Sequence, residues 1–395
     1  MRFDLTPAQA AVRDRAVAFA RDEVAPVARA ADEAGAVAVH LVRRMGELGF
    51  LAGPIDPAYG GSGLDHVSFA LVYEALGWAD SSVRGFLAVH GGLVGLCLRD
   101  HGTEAQKRAW LPRLATGEAI GCYCLTEPEA GSDAAAIATT AVRDGDGWVL
   151  DGTKIWITNG NLAHLALVFA RDPGIAAPPD KPHRQICAFL VPTDTPGFGR
   201  SKMPGRELGH RASDHAVIEL RGVRVGADAV LGAPGGGFRV AMGALDHGRL
   251  GVAAGAVGVG QACLEASVDF ARARRAFGRR IGDFEMIQAA LADMAAEVEA
   301  ARLLVYRAAW LKDQGRPTTR ETSMAKLFAT EAALRAADQA VLIHGGRGYS
   351  NAYPVERHWR DIKGLQIYEG TSHIQRIVIA RELLGREAAG APALG

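Results

Sequence analysis

Glu369 sits in IYEGTSHIQR, residues 367–376, directly before Gly370. A carboxylate next to glycine can be brought against a ligand at close range. The plainer reading is an acid that favours the start of a helix, since Ser372 followed by Gln375 fits a capping box. A second constellation, YCLTEPEAGSD from Tyr123 to Asp133, strings hydroxyls, backbone amides and Gly131 along an extended segment. Its neutral donors suit a polar uncharged ring or a phosphate chain; as a plain Pro/Gly-rich connection it would do neither. WITNG, Trp156 to Gly160, puts an indole and a hydroxyl at a strand end, where an ordinary buried tryptophan is the competing reading. Arg84, in DSSVRGFLAVHGGLVGLCL, is the only full charge between Val83 and Leu98 and needs a carboxylate or hydrogen-bond partner on so apolar a segment. Asp80 is the nearby acid that would make it a structural pair.

The elements that must carry these residues follow a helix, sheet, helix order. From Thr6, with Pro7 as a first-turn proline, to about Thr116 the pattern is helical, interrupted by the loop Pro54 to Asp65 with Gly60, Gly61 and Gly63. Between about Gly117 and Gly226 the runs become short and β-branched, bounded by Asp-Gly, Pro and Gly, which predicts an all-β middle domain. The loop PGIAAPPDKPHRQ, with four prolines, reads as a surface connection. Further helices are expected from about Asp246 to Ala273, Met286 to Leu311, Arg320 to Ile343 and Ser372 to Leu384, as a four-helix bundle. In the second, Ile287, Leu291, Met294, Val298 and Val305 line one face. The fold class is therefore α+β multidomain, with domains at 1–117, 118–228 and 229–395. The small-residue C-terminal tail, GREAAGAPALG, is expected to fray.

Composition narrows the function. The chain has 395 residues with Lys+Arg 44 against Asp+Glu 44, and its pI of about 7.2 offers no field for nucleic acid. Glycine, 48 of 395, exceeds the roughly 7% average without any collagen period. Five cysteines with no CxxC pair point to free thiols in a reducing, cytoplasmic setting. The opening MRFDLTPAQA does not read as a signal peptide, and charges or histidines interrupt the apolar stretches, so no membrane insertion is expected. The glycine clusters at 232–238, 255–260 and 344–349 do not form GxGxxG after a strand, and HExxH, GxSxG and P-loop motifs are absent. No metal site is expected.

Eight segments taken in order resemble the acyl-CoA dehydrogenase family: AYGGSGLD, YCLTEPEAGSD, WITNG, LGHRASDHA, LDHGRLGVAAGAVGVGQ, RRAFGRRIGDFEMIQ, HGGRGYSNAYPVERHWRD and IYEGTSHIQR. The resemblance covers nearly the whole chain. It implies an N-terminal helical domain, a middle β-domain, a C-terminal four-helix bundle and FAD as cofactor. Glu369 would take the α-proton of an acyl thioester while the β-hydrogen leaves as hydride to flavin N5. Tyr123, Leu125, Thr126, Gly131, Ser132, Trp156 and Thr158 would line the flavin ring, with Ser132 also touching the thioester carrier. Arg274, Phe277, Gly345, Gly346, Gly370, Thr371 and His373 would hold the FAD tail, partly across a subunit boundary. Asp246 and Arg249 match positions lining the substrate channel. Gly248 stands where other branches of the family carry their base.

The sequence departs from the family pattern at Leu342, Glu285, His373 and His215, which implies weaker hold on the FAD tail. Arg84 matches the arginine that grips the distal carboxylate in glutaryl-CoA dehydrogenases, although their accompanying serine is Ala88 here. Similar segments occur in polyketide-pathway dehydrogenases acting on carrier-protein substrates. The resemblance thus implies a short acyl chain, carboxylate-ended, on coenzyme A or an acyl carrier protein, with an electron-transfer flavoprotein as acceptor and a homotetrameric dimer of dimers. The alternatives are oxidation with decarboxylation, an oxidase or flavin monooxygenase on the same fold, and a non-enzymatic nucleic-acid-binding relative.

Overall fold

The computed structural model describes residues 4–385; the C-terminal tail beyond Gly385, expected to fray, lies outside them. The N-terminal helices are α1 (Pro7–Phe19), running through a π turn into α2 (Ala25–Ala34), then α3 (Val39–Glu47), α4 (His66–Ala79), α5 (Ser81–Leu87), α6 (Leu96–His101) and α7 (Glu104–Thr116). Side chains set their starts. Thr6 and Gln9 form a capping box with Pro7 in the first turn, Asp65 accepts from the Ser68 N–H, and Thr103 with Gln106 forms a second box.

The middle domain is a seven-stranded sheet, β1 (Gly121–Cys124), β2 (Thr140–Asp144), β3 (Gly147–Thr158), β4 (Leu165–Arg171), β5 (Ile186–Pro192), β6 (Phe198–Lys202) and β7 (His215–Val225), in the order β1-β4-β2-β3-β7-β6 with β5 also on β4. Strand alternation sends Cys122 and Cys124 into the sheet's own core with Trp148 and Phe189. It sends Tyr123 and Leu125 to the other face, against the helices.

The C-terminal helices are α8 (Gly237–Ala273), α9 (Glu285–Asp313), α10 (Thr319–His344), α11 (Val355–Leu365) and α12 (Ser372–Leu384). Helix α8 begins at Gly237 rather than near Asp246, because Phe238, Val240 and Ala241 bury against the sheet-side core and tertiary packing overrides the weak propensity of its glycines. Along α9, Met294, Val298 and Val305 are buried, with Ile287 and Leu291 packed against the same core.

Part of the glycine excess forms a seam between α4 and α8. A Cβ on Gly77 would lie 2.3 Å from the Gly255 carbonyl oxygen, and one on Gly258 would lie 2.0 Å from that of Glu74. The same seam makes room for the Arg84 stem, 2.7 Å from where a Gly255 Cβ would stand.

Two stretches, 81–101 and 237–273, are long and apolar enough by composition to cross a membrane, contrary to the expectation that polar interruptions would prevent it. Their most apolar windows are 89% and 72% buried inside the protein, so the hydrophobicity serves the core. The five cysteines are all buried and free, and no cluster of potential metal ligands occurs among the described residues.

Candidate active site

A cleft of about 640 Å³ opens where the sheet meets the helices, and both the Tyr123–Asp133 segment and Glu369 line it. Glu369 lies in the connection between α11 and α12 with φ +55, followed by Gly370 at φ +90. A left-handed glutamate is uncommon and has to be held by its surroundings. Three groups do so. Gln375 Nε2 donates to the carbonyls of Glu369 (3.3 Å) and Gly370 (2.8 Å), and buried Lys326 Nζ donates to the Gly370 carbonyl at 2.7 Å. The expected Ser372/Gln375 capping box is therefore not what forms. Thr371 caps α12 by accepting from the Ile374 N–H, while Gln375 reads the turn before it and Ser372 donates to Glu331.

The Glu369 carboxyl is not the helix-start charge of the plainer reading. Its Oε2 is buried without a hydrogen-bond partner, and a Cβ on Gly248 would lie 1.9 Å from it. Burial pushes this carboxyl up to about 7, against the pull of Arg84, Lys326 and Arg249. Such a group can accept a proton near neutral pH.

Arg84, 1% exposed on α5, reaches the same cleft. It does not pair with Asp80, which accepts from the Ser82 N–H and faces Arg357 at 3.9 Å. Its Nη2 donates to the Tyr368 hydroxyl, with the guanidinium 5.5 Å from the tyrosine ring centre, while Nε and Nη1 are buried and unpartnered. Arg249 also lines the cleft. Asp246 does not, but holds Arg249 by a 2.5 Å bond and accepts from Thr319.

On the sheet side, Tyr123, Leu125, Thr126, Gly131, Ser132, Trp156 and Thr158 come together on the cleft wall. Leu125 and Thr126 are fixed by their carbonyls, which accept from Lys154 Nζ and the Ile155 N–H. A break in the β3–β7 register between Lys154 and Ile157 turns Trp156 outward with φ +58. It is 51% exposed rather than buried, and its ring stands edge-on to His215 at 6.2 Å. Open space beside Gly131 and the exposed indole face fit a planar flavin ring against this wall.

Gly370 and Thr371 line the cleft, but Arg274, Phe277, Gly345, Gly346 and His373 do not. Phe277 is 93% exposed, and Arg274 lines a separate depression with Arg275, Arg347 and Phe270. Sequence reasoning missed Lys326, Gln375, Tyr368, His210 and the buried Glu127–Lys154 pair. Tyr368, Gln375, Glu127 and His210 lie inside the quoted motifs, whereas Lys326 and Lys154 carried no signal by position.

Three family models match the chain: the acyl-CoA dehydrogenase N-terminal domain over residues 6–118, the middle domain over 122–223 and the C-terminal domain over 235–384. Probable acyl-CoA dehydrogenase YngJ of Bacillus subtilis is 46% identical, covering 97% of this chain and 100% of that protein. The mitochondrial short-chain specific acyl-CoA dehydrogenase of Homo sapiens is 43% identical over 93% of this chain and 87% of its own. Among solved structures, a glutaryl-coenzyme A dehydrogenase in complex with glutaryl-CoA has a TM-score of 0.94 at 36% identity, covering 100% of this chain and 99% of its own.

Proposed function

Because the chain belongs to the acyl-CoA dehydrogenase family, whose members use FAD, we propose that it oxidises a short, carboxylate-ended acyl thioester, with Glu369 as base and Arg84 as reader of the distal carboxylate. FAD, when bound, supplies the acceptor for the β-hydrogen, which leaves as hydride. The Glu369 carboxylate takes the α-proton, and the electrons of that C–H bond form the new double bond as the β-hydrogen departs. Abstraction needs the thioester carbonyl stabilised as negative charge grows on it, and the Glu369 backbone N–H is the protein's donor for that oxygen. Ser132 stands at the carrier side of the thioester, and Arg249, steadied by Asp246, lines the acyl channel. Tyr123, Leu125, Thr126, Gly131, Trp156 and Thr158 hold the flavin ring.

The observation that carries the substrate class is Arg84 itself, a buried guanidinium on the wall of the cleft that holds Glu369, with Nε and Nη1 left without partners. A hydrocarbon chain would leave these donors uncompensated, whereas a carboxylate is an acceptor that the guanidinium can hold through its terminal nitrogens. Identity to short-chain specific relatives favours a second reading, a plain short acyl chain. Anaerobic titration with glutaryl-CoA and butyryl-CoA, following bleaching of the oxidised flavin, separates the two. Bleaching by glutaryl-CoA that Arg84→Ala abolishes supports the carboxylate reading; bleaching by butyryl-CoA alone makes Arg84 structural.

The carrier is coenzyme A or an acyl carrier protein, and an electron-transfer flavoprotein takes the electrons onward in a reducing, cytoplasmic compartment. A homotetramer accounts for Arg274, Phe277, Gly345, Gly346 and His373, which do not line the cleft of their own chain and would meet a cofactor tail across a subunit boundary. The arginines near Arg274 suit its diphosphate.

A further inference from the structure

His210 lies in the loop between β6 and β7, where it meets both helical domains. Its backbone is left-handed, φ +53, and is pinned from two sides: its N–H donates to Asp361 Oδ1 at 2.6 Å and its carbonyl accepts from the Ser213 N–H at 2.8 Å. The ring fits against α11 because residue 364 is glycine; a Cβ there would lie 2.8 Å from His210 Cδ2. A non-glycine residue kept in this conformation and given a seat by a neighbouring glycine is a held feature, and what it holds is Tyr368. His210 Nε2 lies 3.3 Å from the Tyr368 hydroxyl, and the ring also meets the backbone carbonyls of Ser81 and Asp361.

The hydrogen-bond chemistry of this chain runs in one direction. Arg84 has donors and no acceptor, so the Tyr368 oxygen accepts from Arg84 Nη2 and must send its own proton elsewhere. His210 Nε2 is the group in reach to receive it. Burial and nearby Arg84 keep the imidazole neutral, so its lone pair is free for that bond while its N–H faces the carbonyls.

We propose that His210 is a positioning residue for the acyl end of the cleft: it fixes Tyr368 as an acceptor toward Arg84, so that the remaining donors of the guanidinium are presented to the carboxylate of the acyl chain. This rests on the carboxylate-ended substrate proposed above. With His210 removed, the phenol rotates freely and the guanidinium loses its anchor, while Glu369, held by Lys326 and Gln375, is untouched.

The test compares kcat and KM of the FAD-loaded enzyme for glutaryl-CoA and butyryl-CoA in wild type, His210→Phe, His210→Gln and Tyr368→Phe. The expected result is a drop of about 10-fold in kcat/KM for glutaryl-CoA in His210→Phe, carried by KM. Butyryl-CoA turnover should stay within about 2-fold, the range left by an untouched base. Gln, whose amide oxygen can accept the phenol's proton, restores much of the loss. Tyr368→Phe, which keeps the backbone around residue 210 unaltered, should reproduce it, so a failure of His210→Phe to fold leaves the question answerable. A wild type preferring glutaryl-CoA whose preference survives both His210→Phe and Tyr368→Phe overturns the positioning role alone. A wild type without that preference overturns the substrate reading and this inference with it.

Discussion

Glu127 and Glu369 line the same cleft and are held in opposite ways. Glu127 meets Lys154 Nζ at 2.7 Å and accepts from the N–H groups of Ala138 (2.5 Å) and Thr139 (3.0 Å). Burial pushes its carboxyl up, but Lys154 and these donors outweigh burial and leave it below the ordinary range. Glu369 has an unpartnered Oε2, so burial wins and it titrates at about 7. The difference separates a carboxylate that ties the 125–128 segment to β3 from one kept free to take a proton. Satisfied lone pairs make a brace; unsatisfied ones make a base.

Replacing the proposed base breaks the comparison most severely. Glu369→Gln should slow anaerobic flavin reduction by about 10³-fold, the contribution of a positioned proton acceptor. In the wild type that rate should climb as pH rises through about 7, where Glu369 loses its proton. The stability sign is opposite. The folded carboxyl titrates at about 7 against an ordinary 4.5, so the native state keeps a proton that the unfolded chain has released, and stability falls as pH rises across that window. Glu369→Gln should therefore unfold no earlier than wild type at pH 7 and lose that dependence in a denaturant titration.

Glu127→Gln should do the reverse, leaving turnover per folded molecule largely intact while stranding the Lys154 ammonium, which is 0% exposed. A loss of about 3 kcal/mol is expected for a buried pair broken on one side, read as a lower denaturation midpoint. A smaller effect sharpens the role of space around the base. Gly248→Ala puts a methyl where only 1.9 Å separates it from Oε2, and the displaced carboxylate should reduce flavin about 10² times more slowly without loss of fold.

The fold was legible where local chemistry agrees with the final structure. An Asp-Gly turn marks β2 and β3, Gly and Pro bound the β-branched runs of β4 and β5, and Thr6 with Pro7 marks α1. Glu369, Trp156 and the Tyr123–Asp133 segment were legible through their motifs, and Arg84 through its isolation on an apolar helix. Lys326, 0% exposed, was not. It sits among Thr322, Ser323 and Thr330 on α10, and nothing in that pattern distinguishes a buried lysine from a solvated one. His210 and Gln375 act across 158 and 6 residues of chain, through loop geometry that residue order does not express. The mistaken Ser372 cap has the same origin: Thr371 and Ser372 offer the same hydroxyl one position apart, and the left-handed turn at Glu369–Gly370 decides which is used.

The glycine seam has a consequence for anyone retooling the enzyme. Residue 255 touches the α4 backbone on one side and the Arg84 stem on the other. Helix spacing and the seat of Arg84 thus meet at one residue, and a side chain added there would run into the Arg84 stem. Redesign for bulkier acyl groups would have to start from walls that carry no such double duty, such as Leu93 or Val89.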